Sequence, residues 1–402
     1  MQNSWKKTFG IIWVGQFMSM LSSSAVNFAI LIWLTLETGS AEVLAYSAIA
    51  ALMPQALIGP FAGVYIDRWD RKLTMIIADA FIAVCTLCMS LLFFFGYFDL
   101  IFVYLILALR SVGTAFHAPA MQASVPLLAP KEELLRIAGI NQTIQSVSNI
   151  AGPALGALAI GLLDIGEVLL LDIAGAVFAI ITLCFVSIPN PDQTGHEKAS
   201  VKQVIRDIRT GIRAVTVDKG LSYMFLFSIL ATFCIMPVAV LFPLMTLEHF
   251  GGGKFEMSII EIAWGVGMLT GGGILGIFKP SIRKVILLNC MHLLLGATLA
   301  TSGLLPGNQF MLFTFLTIAG GVAASVFHAS FTTIVQEKVD ASMLGRVFSM
   351  YFSIALLPSL IGLMGTGFIA DHIGITLTFV ILGSAVALIG LISFLVPSLM
   401  KL

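Results

Sequence analysis

Three ionisable residues stand inside stretches that are otherwise apolar, and they frame the chemistry open to this chain. Arg110 lies about ten residues into the run 100–125, roughly 15 Å along a helix that rises ~1.5 Å per residue. Asp79 lies within the run 73–96 and Asp172 within 167–188. A guanidinium removed from water must pair with an anion or line a wet cavity. A carboxyl group removed from water becomes easier to protonate. Two roles fit such a set: a fixed ion pair joining helices, or an acid that takes up and releases a proton. Either aspartate can partner Arg110, and spacing does not choose between them. His117 and His328 add two groups able to move protons near neutral pH. Their matching places in the two halves of the chain also fit duplication of a structural residue.

The elements that carry these residues are membrane spans. Of 402 residues, 58% are hydrophobic and 10% charged, and mean hydropathy is +1.02. Soluble domains carry about 25% charged residues. Twelve apolar runs are expected to be helices: 9–36, 43–66, 73–96, 100–125, 136–163, 167–188, 220–247, 257–278, 284–304, 309–334, 345–370 and 373–397. Each approaches or exceeds the ~20 residues that cross a bilayer. The runs are too continuous, and too free of alternation, for a transmembrane β-barrel. The first run continues straight into the fold and is not expected to be a cleaved leader. With the N-terminus inside, every Lys and Arg except Lys254 and Arg110 falls on the inside, so both termini are expected in the cytoplasm of a multi-pass inner or plasma membrane protein.

The longest polar segment, 189–219, separates an N-terminal half (1–188) from a C-terminal half (220–402). Within it Val201, Ile205, Ile208, Ile212 and Val215 recur at helical spacing between basic residues. This predicts an amphipathic helix, either on the cytoplasmic leaflet or as a solvated linker. The halves echo each other. Phe116-His117-Ala118 returns as Phe327-His328-Ala329, and Arg136 as Arg346, at nearly one offset. Two homologous six-helix halves follow, with a substrate site expected near the midplane.

Several smaller patterns have chemical meaning. Gly59 to Lys72, GPFAGVYIDRWDRK, packs Asp67, Arg68, Asp70, Arg71 and Lys72 into a membrane-edge turn after the small residues Gly59, Ala62 and Gly63. In SVSNIAGPALGALAIG, Gly152, Pro153 and Gly156 kink and thin a helix. Asn141, Gln142, Gln145 and Asn149 share one helix face, and Gln16 and Asn27 lie on the first helix. They fit ligand contacts in a central cavity or hydrogen-bonded glue between helices. Phe28, Met236 and Phe242 are candidates for an adaptable apolar cavity wall. Glu248, His249, Glu256 and Glu261 form an acidic rim, with Glu261 the deepest. The five cysteines all fall in apolar runs, so neither disulfides nor a metal site is expected, and Cys85-x-x-Cys88 reads as two small apolar residues. No G-x-x-x-x-G-K-[ST] pattern occurs, so energy must come from an ion gradient or a partner ATPase. No catalytic constellation stands out, and the chain is not expected to be an enzyme.

The turn with Gly63, Asp67, Arg68, Arg71 and Lys72 resembles the loop between helices 2 and 3 of the major facilitator superfamily, which usually has a glycine where Asp70 stands here. LRSVGTAFHAP resembles the family's helix-4 arginine pattern, and GPALGA part of its antiporter motif, with Ser148 and Ala157 replacing glycines. Together with VGQ (Val14–Gln16), LFPLMTLEHF (Leu241–Phe250) and QEKVDASMLGRVFSM (Gln336–Met350), these stretches make the chain most similar to macrolide-efflux proteins of the drug-exporter branch. The resemblance implies a twelve-helix all-α fold of two pseudo-symmetric halves. It implies proton-driven export of bulky amphiphiles by a monomer in the bilayer, with no bound cofactor and no nucleic acid. It also implies gate-latch roles for Asp67 and Arg71 and proton coupling at Arg110. A siderophore or metabolite exporter, or a non-transporting sensor or scaffold, are the alternatives.

Overall fold

The computed structural model describes residues 4–66, 69–97, 99–128, 134–188, 201–278, 282–339 and 344–402. Among these the chain is helical, with no strand. The first six helices are α1 (Ser4–Thr38), α2 (Ala41–Ile66), α3 (Arg71–Phe94), α4 (Leu100–Leu128), α5 (Leu134–Leu162) and α6 (Ile165–Cys184). A shorter α7 (Val201–Thr216) precedes α8 (Lys219–Glu248), α9 (Lys254–Phe278), α10 (Lys284–Leu304), α11 (Phe310–Lys338), α12 (Leu344–Ile373) and α13 (Ile375–Phe394). Eleven helices are long and apolar enough to cross a membrane among the described residues. In α5 the described apolar stretch is Val147–Leu162. The protein is a multi-pass membrane protein with a twelve-helix fold, α7 lying outside the twelve.

Helix ends follow local chemistry. Asp70 caps α3, its carboxylate accepting from the Leu73 amide at 2.8 Å. The residue that departs from the family pattern therefore has a structural job. Lys72 reaches the other way, donating to the carbonyls of Val186 (2.7 Å) and Cys184 (3.4 Å) at the end of α6. Cations at a helix C-terminus are favoured in this way. Asp164 and Glu167 form a capping box at the start of α6. Asp67 and Arg68 lie outside the described residues, and Gly63 is described only as part of α2.

The chain divides into two compact units. Unit 1 holds residues 1–33 and 47–203, and unit 2 holds 34–46 and 204–402. In unit 1, Phe9, Ile12 and Trp13 of α1 cluster with Ala62, Met75, Ala120, Ile137 and Leu183, one from each of α2 to α6. In unit 2, the rings of Phe225, Phe331 and Tyr351 meet in tilted and edge-on contacts in a core that also takes in Val215 of α7. That contact ties the amphipathic helix to the bundle, while Ile205 and Ile212 remain exposed. Within unit 2, Asp371 at the end of α12 accepts hydrogen bonds from the backbone amides of Ala41 (2.7 Å) and Glu42 (3.1 Å) and from Ser40 Oγ (2.9 Å). A carboxylate from a distant helix thus caps α2.

In lipid there is little hydrophobic drive between helices, so close packing and polar contacts hold them. Gly296 of α10 and Gly383 of α13 show the first device. A Cβ on either would meet the backbone of the other helix, at Ala387 and Ala300 respectively.

Candidate functional site

Asp79, Arg110 and Asp172 are buried on α3, α4 and α6, and α3 packs against both of the others. Arg110 of α4 donates from Nη2 to Asp172 Oδ2 at 2.8 Å, with side-chain exposures of 8% and 2%. The same carboxylate accepts from Thr86 Oγ of α3 at 2.9 Å, and its other oxygen accepts from Ser23 Oγ of α1 at 2.5 Å. Asp172 therefore has three donors from three helices. The choice that sequence left open falls on Asp172.

Asp79, on α3, has a different environment. Its Oδ1 lies 3.2 Å from His117 Nε2 of α4, and its Oδ2 is buried with no hydrogen bond among the described residues. His117 is thus brought to an acid. Asp172 is held from several sides, whereas Asp79 has one weak partner. Arg110 also keeps Nε and Nη1 buried without a hydrogen bond among the described residues.

Close helix approach builds this region. A Cβ on Gly113 would come within 2.6 Å of Ile82 Cγ1, so the glycine three residues after Arg110 lets α4 lie against α3. In the Gly152-Pro153 motif, a Cβ on Gly152 would sit 2.5 Å from Ser24 Cβ, and one on Gly156 would strike the Ala25 carbonyl. These small residues seat α5 against α1, next to the Ser23 that holds Asp172. Gly175 of α6 similarly accommodates Ser22.

The uncharged candidates disperse. Gln16 is fully buried, and its amide atoms make no hydrogen bond among the described residues. Asn141 accepts from the Trp13 indole. Gln145 and Asn149 are exposed and bond to each other at 3.0 Å. Asn27 is exposed, and the Gln142 side chain lies outside what is described. Phe28 is buried.

In unit 2, Glu261 lines a cavity with Phe242 and Trp264, while Met236 and His328 do not line it. His292 was not singled out from sequence. It is 1% exposed, stacks on Phe327 at 4.6 Å, and neither ring nitrogen has a hydrogen bond among the described residues. Its signal was positional: it is the ninth residue of α10, as Asp79 is of α3. No group of three His, Cys, Asp or Glu able to hold a metal occurs among the described residues.

Helices in this order, with a buried charge cluster among the first six, define a polytopic membrane carrier. The fold is shared with a bacterial homologue of the iron transporter ferroportin in its inward-facing state, at a TM-score of 0.75 and 14% identity, covering 98% of each chain. The Major Facilitator Superfamily profile matches residues 12–358, and the chain belongs to that family. It is 36% identical over 401 residues to Macrolide efflux protein A of Streptococcus pyogenes, spanning 100% of this chain and 98% of the relative. It is 37% identical over 326 residues to Macrolide efflux protein A of Enterococcus faecalis, spanning 81% of this chain and 100% of the relative.

Proposed function

We propose that this protein exports bulky amphiphilic compounds of the macrolide kind, in exchange for protons, by alternating access. The observation that carries the reading is the 36% identity to a macrolide efflux protein across the whole chain. The charge distribution supports cytoplasmic termini, with α7 on that side.

Asp79 carries the exchanged proton. A proton arriving from outside neutralises its carboxylate and releases the hold on His117. Departure of that proton to the cytoplasm restores the contact. Arg110 and Asp172 stay paired through the cycle and keep α3, α4 and α6 in register, so that a change at Asp79 moves helices rather than dissipating in side-chain motion. The small residues of α5 let it slide closely on α1. The support for this division is that Asp172 has three donors and Asp79 has one distant contact.

The test uses inside-out vesicles with an acidic interior and an added erythromycin-like macrolide. Wild type should accumulate the macrolide while the interior loses protons. Asp79→Asn should remain folded and lose gradient-driven accumulation. Accumulation indifferent to the gradient, or unchanged in Asp79→Asn, refutes the coupling. No movement of any macrolide refutes the substrate class.

A further inference from the structure

The cavity of unit 2 is lined by residues of α8, α9, α10 and α11, and it is apolar except at two points. Val238 and Phe242 of α8, and Ile260 of α9, form hydrophobic wall; Thr317 of α11 contributes a hydroxyl already bonded to the Phe313 carbonyl at 2.9 Å. The other polar point is Glu261. Its carboxylate has no hydrogen-bond or ion-pair partner among the described residues, and it retains exposure to the cavity. A carboxylate placed in a membrane-embedded apolar pocket without a cation is costly and marks a site of use.

The surroundings indicate the missing partner. Trp264 follows Glu261 by three residues, so both lie on one face of α9. The Trp264 and Phe242 rings are 6.3 Å apart and inclined at 56°, giving the cavity two aromatic walls. An aromatic pair beside one unpaired carboxylate favours a diffuse, weakly hydrated cation over a small inorganic one: ring faces attract alkylammonium groups, and hard cations require several oxygen ligands. The cavity holds ≈ 60 Å³. Whole drug-sized sites run from about 300 to 1,000 Å³, so this one has room for a cationic head group and leaves the body of the ligand outside.

We propose that this cavity is a binding site for the cationic group of a lipophilic organic cation, with Glu261 as counter-ion and Trp264 and Phe242 as the aromatic walls. The proposal deepens the export reading and rests on it for physiological meaning, since macrolides bearing a dimethylamino sugar are such cations. The site itself is defined by unit 2 alone.

The experiment is equilibrium binding of tritiated benzyltrimethylammonium, a lipophilic cation with a small alkylammonium head, to the purified full-length protein in detergent, with no gradient. Erythromycin and its neutral N-demethyl-N-acetyl derivative serve as competitors. Wild type should bind the cation. Glu261→Gln should weaken it by about tenfold or more, the scale of one desolvated charge contact, and Glu261→Asp should keep most of it. Trp264→Leu should weaken it by roughly threefold to thirtyfold. Competition should be stronger for the charged macrolide than for the neutral one. Size-exclusion profiles identical to wild type certify that the variants are folded. No binding by wild type, or equal binding by folded Glu261→Gln, overturns the proposal. Macrolide accumulation by the wild-type protein in vesicles judges the export reading separately, so an exporter that fails this binding test loses only the site.

Discussion

Replacing Asp172 with Asn gives the most direct measure of what the charge cluster does. The Arg110–Asp172 pair is separated by 2.8 Å and almost fully buried. At an effective dielectric of about 20, two unit charges at that distance attract by roughly 6 kcal/mol. Burying the two ions costs several kcal/mol each, so the intact pair contributes little net stability. Removing one partner is another matter. Asn can still accept from Ser23 or Thr86, but the guanidinium loses its anion, and its Nε and Nη1 have no hydrogen bonds to fall back on among the described residues. The cost should be about 3–5 kcal/mol. For a folding unit of this size, each kcal/mol lowers Tm by about 2–4 °C, giving a loss of roughly 6–20 °C. Thermal unfolding in detergent can be followed with a thiol-reactive dye in a Cys88→Ser/Cys184→Ser background, which removes the two exposed thiols and leaves Cys85 on α3, buried, to report on unit 1. Arg110→Leu should lose a similar amount. The double variant Arg110→Leu/Asp172→Leu should recover a large part of it, because neither charge is then orphaned. A Tm within about 2 °C of wild type for Asp172→Asn, or a double variant no more stable than the worse single one, would refute the reasoning.

Two further outcomes follow from packing and capping. Gly156→Val should destabilise unit 1 by about 1–3 kcal/mol and lower the folded yield, since its side chain meets the Ala25 carbonyl, whereas Gly161→Ala, with open space around it, should be neutral; the two Tm values check this. Asp70→Ala should cost about 1 kcal/mol through loss of the α3 cap, and Asp70→Asn much less, read in the same dye assay.

The sequence made the spans readable because bilayer thickness imposes a length and a composition that no tertiary contact has to refine. It also marked the buried ionisable groups, because any charge in such a run stands out. It could not pair them. Asp79 and Asp172 are equally plausible from Arg110 by spacing, and what separates them is how α3, α4 and α6 rotate against one another, which Gly113 and the α1 serines set. The same holds for Lys72, whose reach to the end of α6 depends on helices 112–114 residues away in the chain. Asp164 and Asp371 stand at nearly the offset that relates the two halves. Asp164 caps its own helix, whereas Asp371 caps α2. His292 is marked by its place in α10 alone and by no motif.

The two halves use the same helices for different ends. The offset that relates Phe116 to Phe327 places His292 near the position of Asp79, Gly320-Gly321 near Arg110, and Leu382-Gly383 near Asp172. Where unit 1 joins α3 to α6 through Thr86 and Asp172, unit 2 brings α10 and α13 so close at Gly296 and Gly383 that a Cβ on either has no room. A carboxylate at the Asp172 position of unit 2 would force those helices apart, and an arginine at Gly321 would collide with the Trp264 carbonyl on α9. Duplication thus preserved these helix pairs while the means of joining them diverged, a hydrogen-bonded carboxylate between α3 and α6 and a glycine contact between α10 and α13. In unit 2 the carboxylate exposed to a cavity is instead Glu261, on α9, away from the α10–α13 seam. The proposed proton site at Asp79 and the proposed cation site at Glu261 therefore fall on helices that the repeat does not equate, α3 in unit 1 and α9 in unit 2.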